Sequence, residues 1–244
     1  MKIAKSQNSV CRLCKKEAKL CNSHILPEFF YLDLYEEKHR TLQIAKEGEK
    51  IIQKGIREYL LCQQCETKLS EYEKYAKELI NEIPNFSRDD NLGVLYSENV
   101  NYAKFKLFQL SLLWRSAISA HVAFSQIDLG PHEEKIRRML DDKNPGKASE
   151  YGCMLSLIPN TELINNIIQS PTRFTKKLFG HTAFKFPIGN LTWVFIVSSH
   201  KLSPWMRELF LQESGMLRVM ISRRDESSEI MKLGQILQGF GRSF

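Results

Sequence analysis

The sequence predicts an α+β fold in two parts, and three observations carry the prediction. Two Cys-x-x-Cys pairs stand in the first third of the chain, Cys11-Arg12-Leu13-Cys14 and Cys62-Gln63-Gln64-Cys65. Two long stretches, 66–83 and 101–124, repeat apolar residues with helical spacing. The last hundred of the 244 residues alternate short apolar runs with Gly and Pro turn signals, as a mixed helix and antiparallel-sheet domain does. Hydrophobic residues are 43% and charged residues 26%, enough apolar chain for a packed core, which excludes a disordered or collagen-like protein. The longest uncharged stretches, such as GNLTWVFIVSSH, fall short of the ~20 apolar residues of a membrane span, and the N-terminus has no signal-peptide core. A cytoplasmic protein without a membrane partner is therefore expected.

The six cysteines stand at 11, 14, 21, 62, 65 and 153. Two close-spaced pairs in a long chain point to a tetrahedral Zn²⁺ site rather than to disulfides. Each pair sets two thiolates on a tight turn, within about 2.3 Å of one ion, and the second pair closes the tetrahedron. Cys11, Cys14, Cys62 and Cys65 are the predicted ligands. Cys153 and Cys21 read as buried thiols, with Cys21 near enough to substitute as a ligand. The 47 residues between the pairs require an insertion that packs on its own. With four thiolates the site is fully ligated and structural, and too negative to serve as a phosphate clamp.

Along the chain, Leu20–Leu26 predicts a short strand that Pro27 ends. Thr41–Lys46 alternates partially, Glu47–Lys50 reads as a turn, and Ile51–Gln53 and Glu58–Leu61 read as strands around Gly55. The second cysteine pair opens a helix from Glu66 to about Ile83, with Leu69, Tyr72, Ala76, Leu79, Ile80 and Ile83 on one face. Knuckle, strand, insertion, strands, knuckle and helix are the outline of a treble-clef zinc finger over 1–86. The polar stretch 87–100 predicts a linker, and 101–244 a C-terminal α+β domain.

That second domain opens with Asn101–Phe124, a helix apolar around most of its circumference and so buried between other elements. Arg115 inside it needs a partner, either a phosphate beside an active site or a carboxylate at the domain junction. His132–Leu140 predicts a short helix, with Glu133 and Glu134 at its start and Arg137 and Arg138 at its end, matching the helix dipole. Tyr151–Ile158 reads as a strand and Glu162–Gln169 as a short helix. His181–Pro187 and Leu191–Ser198 form a hairpin about Gly189-Asn190. Trp205–Leu211 fits helix or strand, Leu217–Ser222 a strand, and Ser227–Gln238 an amphipathic helix. No Gly-rich phosphate loop and no repeat is present, so no small-molecule cofactor is expected.

Net charge is +7, and all of the excess lies beyond residue 99: residues 1–99 hold 16 Lys/Arg and 16 Asp/Glu, and 100–244 hold 19 and 12. Such an excess suits either nucleic acid or a merely solvated basic surface. Arg137, Arg138, Lys176, Lys177, Arg223 and Arg224 carry the same two readings.

The strings CRLC, NSHILP and LLCQQCE, taken in order over about residues 8–83, resemble zinc-stabilised members of the HNH (ββα-metal) endonuclease superfamily. The resemblance implies metal-dependent cleavage of nucleic acid, DNA more than RNA, with His24 as general base and a catalytic Mg²⁺ or Mn²⁺ beside the structural Zn²⁺. It also implies a role in phage defence or a mobile element, with a partner protein from the same operon. The chain departs from the pattern in two places. Glu66 follows Cys65 where many members have His, and its carboxylate can ligate a hard cation, helped by Glu71 or Glu73. Arg57 falls near the place of the family's middle Asn; it cannot ligate a cation and is a phosphate-contact candidate instead. Against these roles, His24 can donate to a backbone carbonyl, Glu66 can serve the helix dipole, and Glu71 and Glu73 can lie on a solvated face. Those readings describe a non-catalytic zinc-finger adaptor that binds nucleic acid or protein, or a folding staple.

Overall fold

A computed structural model describes residues 8–32, 40–45, 48–53, 55–158 and 167–222 of the chain. The expected helix over 227–238 and the pair Arg223-Arg224 lie outside the described residues.

The first strands build around the cysteine pairs. β1 (Asn8–Val10) and β2 (Glu17–His24) are antiparallel, with Val10 opposite Glu17, so the turn that joins them carries Cys11 and Cys14. The chain then makes a single helical turn, α1 (Phe29–Leu32), just after Pro27. Two strands of the insertion follow, β3 (Arg40–Ala45) and β4 (Gly48–Gln53), an antiparallel hairpin. Glu49 and Lys50, expected in a turn, lie within β4. Gly55 comes next with a φ of 67°, and a Cβ there would sit 2.7 Å from the Tyr31 ring, so a side chain is excluded on both counts. β5 (Arg57–Cys62) pairs with β2 so that His24 faces Arg57 and Leu20 faces Cys62. Helix α2 (Gln63–Glu82) starts at the residue after Cys62 and buries Cys65, Leu69, Tyr72 and Ala76, the expected face.

Residues 87–100 are not a linker. β6 (Ser87–Asp89) and β7 (Val94–Ser97) occupy this stretch and form one edge of a large sheet. Helix α3 (Tyr102–Ile118) is capped by the Asn101 side chain, which accepts the Lys104 N–H at 3.0 Å. It stops six residues before the expected end for a tertiary reason. The Glu58 carboxylate of β5 accepts the Ser119 hydroxyl, the Ala120 N–H at 3.1 Å and the His121 N–H at 3.2 Å, so the chain turns away there. Helix α4 (His132–Asp141) forms as expected.

The remaining elements are β8 (Cys153–Leu157), β9 (Ile167–Gln169), β10 (Thr172–Arg173), β11 (Thr182–Ile188), β12 (Leu191–Val197), α5 (Pro204–Glu208) and β13 (Leu217–Ile221). Residues 167–169, expected as the end of a helix, are strand, and 162–166 lie outside the described residues. The large sheet has ten strands in the order β4-β3-β9-β11-β12-β8-β13-β7-β6, with β10 against β11. It is mixed rather than antiparallel, because β3 runs parallel to β9 and β13 parallel to β8.

The central strand β12 is buried along its whole length, and its period of two sorts side chains to two cores. Leu191, Trp193, Phe195 and Val197 face the core beneath α3, while Val194 and Ile196 join Met206 and Phe210 on the opposite face. The Trp193 ring lies 5.9 Å from Phe105 and 5.8 Å from Phe108 of α3, and 6.1 Å from Phe30 of α1. The α3 core runs without a break from Cys11 and Leu13 through α2 to the sheet. The cysteine-bearing N-terminal elements and the sheet therefore share one core, and the insertion hairpin β3–β4 contributes two strands to the sheet instead of packing on its own.

Candidate metal centre

Local geometry brings the four predicted ligands together. The first knuckle closes through Cys11 N–H to the Lys16 carbonyl and Lys15 N–H to the Cys11 carbonyl, each 2.9 Å, with Lys15 at a φ of 61°. Pairing of β2 with β5 then sets Cys62 against this turn, and its N–H donates to Cys11 Sγ at 3.3 Å. The first turn of α2 supplies Cys65. The four Sγ atoms of Cys11, Cys14, Cys62 and Cys65 lie within 4.8 Å of one another, and those of Cys14 and Cys62 are 3.9 Å apart. Tetrahedral sulfurs about 2.3 Å from an ion would stand about 3.8 Å apart, so the cluster fits a metal ion such as zinc. Burial pushes the Cys65 and Cys14 thiols up, whereas at Cys11 burial is outweighed by backbone N–H groups led by that of Cys62, which hold the thiol low. A bound cation would replace the protons of these thiols, which couples metal binding to folding. Cys21 stays outside the cluster, its Sγ 3.5 Å from Gln63 Oε1, and Cys153 is buried in the sheet at the start of β8.

Beside the thiols sits an unusual carboxylate. Glu66 is half-buried in the first turn of α2, and its Oε1 is shielded from solvent and has no hydrogen-bond partner. Burial raises its pKa, opposed by the nearby Ser23 hydroxyl and by the Arg115 charge, while Glu73 adds to the rise. Ser23 precedes His24 at the end of β2. The His24 ring stacks 6.3 Å from that of Tyr31.

Arg115 occupies the space between these elements. Its Nη1 donates to the His24 carbonyl at 3.0 Å and its Nη2 to Glu73 Oε1 at 2.6 Å, with the residue 1% exposed. This is the ion pair at the junction, not the phosphate contact, and Glu73 is not on a solvated face. Arg137 is likewise committed elsewhere: it bonds Glu134 and Asp141, and its Nη1 donates to the Leu13 carbonyl of the knuckle. It holds α4 against the finger, where Lys68 Nζ also pairs with Asp141 Oδ1 at 3.0 Å. Neither arginine is presented to a phosphate. Arg57 pairs with Glu28 at 3.2 Å, Arg138 is exposed beside Glu134, and Lys176 and Lys177 are exposed before β11.

Two residues that sequence reasoning passed over anchor helix α3. Glu58 stops α3, and Lys106 is buried in α3 with Nζ 2.9 Å from the Tyr151 carbonyl. A charged residue inside an apolar helical run, FKLFQL, was the available signal for Lys106. Comparison with protein-family models, curated proteins and solved structures finds no match for this chain. No helix among the described residues is long and apolar enough to cross a membrane.

Proposed function

We propose that the chain is a cytoplasmic, metal-dependent nuclease built on an HNH-like treble-clef finger, cleaving nucleic acid, DNA more than RNA, in phage defence or a mobile element with a partner protein. The observation that supports this reading most is Glu66 Oε1, a shielded carboxylate oxygen without a partner at the start of α2, near Ser23 at the end of β2. A buried unpaired carboxylate oxygen is costly unless a ligand completes it. Four thiolates would hold a structural Zn²⁺, and Glu66 would hold a hard Mg²⁺ or Mn²⁺, which supplies neutralisation of the charge that builds on a phosphate under attack. His24 takes the proton of the attacking water, a task suited to an imidazole near neutral pH. The zinc centre would hold together β2 and the start of α2, the two elements that carry His24 and Glu66.

The test is plasmid nicking by the full chain with Mg²⁺ or Mn²⁺, comparing wild type with His24→Ala and Glu66→Gln at equal zinc content. Loss of a general base costs typically 10²–10⁴-fold, so the His24→Ala rate should fall by at least about 100-fold. Equal nicking by wild type and His24→Ala would remove His24 from the chemistry.

A second reading, a non-catalytic zinc-finger adaptor for nucleic acid or protein, is favoured by Arg115. This arginine ties the His24 backbone and Glu73 into the core, as a structural joint would. On that reading wild type does not nick, and any nucleic-acid binding survives His24→Ala.

A further inference from the structure

Away from the finger, cations converge on one cleft. It measures about 290 Å³ and opens between the start of α4 and the segment joining β12 to α5. Lys135, Lys201 and Arg207 line it, with His132 and His200. Among the described residues, none of those three cations has an ion pair. Glu150 is the single carboxylate of the lining, and its Oε2 already accepts the Lys147 N–H at 2.8 Å. Like charges gathered around one concavity raise the local potential for an anion.

Hydrogen bonds fix both walls. Tyr151 adopts a φ of 51°, a left-handed backbone that an aromatic residue rarely takes. Its carbonyl accepts from buried Lys106 Nζ at 2.9 Å, and its hydroxyl meets His132 Nδ1 at 3.1 Å. Opposite, the Ser198 hydroxyl meets His181 Nδ1 at 2.8 Å and accepts the His200 N–H at 3.1 Å. The positive field also registers on the imidazoles. Burial first, then the Lys135 charge, lowers His132; burial first, then His200 and Lys177, lowers His181.

We propose that this cleft binds a phosphate group, with Lys135, Lys201 and Arg207 as its charged contacts between walls held by Tyr151 and Ser198. A multiply charged tetrahedral anion uses three cations and neighbouring hydroxyls, whereas a single carboxylate would leave most of that charge unmatched. The group can belong to a small phosphorylated molecule or to the end of a nucleic-acid strand. The proposal does not depend on the nuclease reading, since none of these residues belongs to the finger.

Calorimetric titration of the zinc-loaded full chain with pyrophosphate, and separately with a 5′-phosphorylated trinucleotide, tests it. Saturable binding is expected, and Lys135→Gln and Arg207→Gln should each weaken it by about 10-fold, the size of one charge-assisted hydrogen bond. Lys77→Gln, an exposed lysine of α2 outside the cleft, should change it by less than about 2-fold. Tighter binding of pyrophosphate assigns the small molecule and tighter binding of the trinucleotide assigns the strand end, in both cases with the same two side chains required. The substituted side chains are exposed, and an unchanged melting temperature confirms that the variants fold. Absence of saturable binding with both probes overturns the proposal. So does an equal loss in Lys77→Gln, or unchanged affinity in both cleft variants.

Discussion

Helix α3 buries a cation at each end of the molecule it joins, and the two are treated differently. Arg115 faces the finger and has a carboxylate, Glu73, and a carbonyl, that of His24, as partners. Lys106 faces the sheet and has a single carbonyl, that of Tyr151, with the buried Cys153 thiol acting on it. Both residues are 1% exposed. A guanidinium cannot shed its proton, so it can be buried only with a matching anion. An ammonium can shed its proton, and burial lowers the Lys106 pKa to about 8, with Cys153 and Glu150 only partly opposing the shift. The end of α3 nearer the cysteine pairs is thus joined by a buried ion pair, the sheet end by apolar packing.

The largest expected effect separates the two ends outright. Removing the metal with a chelator, or replacing Cys62 by Ser, should abolish amide-exchange protection in β1, β2, β5 and the start of α2 first, with β11 and β12 protected longest. Metal binding to such sites carries free energy on the order of 10 kcal/mol, so the loss should be far above any single side-chain effect. Simultaneous loss along the whole chain would mean that the shared core, not the metal, sets the order of unfolding.

Arg115→Met comes next. It leaves Glu73 and Glu66 without their countercharge, and breaking a buried pair costs about 3–5 kcal/mol. Denaturant unfolding should show that loss, and the double variant Arg115→Met, Glu73→Leu should recover most of it. No recovery would show that Arg115 acts through packing or the His24 carbonyl alone.

Lys106→Met should behave in the opposite way. The folded-state pKa of about 8 lies below the ordinary 10.5, so below pH 8 the fold bears the cost of a buried charge, about 3 kcal/mol at most. That cost fades as pH rises from 8 towards 10.5, because there the unfolded chain binds more protons. Wild type should gain stability over this range relative to Lys106→Met, read as the difference between their unfolding free energies at pH 7.5 and 9.5. Parallel pH profiles would mean that Lys106 keeps its charge in the core.

The smallest effect is expected at Lys176, exposed and without an ion pair among the described residues: Lys176→Gln should change unfolding free energy by no more than about 0.5 kcal/mol. A larger change would assign that turn to the fold rather than to the surface.

What the sequence determined by itself was whatever its local pattern encodes. Cys-x-x-Cys spacing makes a two-thiol turn, the 3.6-residue period makes α2 and α4, and Gly189, at a φ of 57°, makes the β11–β12 hairpin loop. The four thiols could be read as one cluster because each half is local and a cation needs both. Arg115 could be read as needing a partner, since a charge in an apolar helix must be compensated, but not as needing Glu73 in particular. Tertiary structure alone decided the rest. It drew the polar stretch 87–97 into the sheet as edge strands, paired β3 in parallel with the distant β9, and stopped α3 at Ile118 with the Glu58 carboxylate. It also gathered Lys135, Lys201 and Arg207 around one cleft. These are pairings between residues far apart in the chain, and periodicity states which face of an element is buried without stating what buries it.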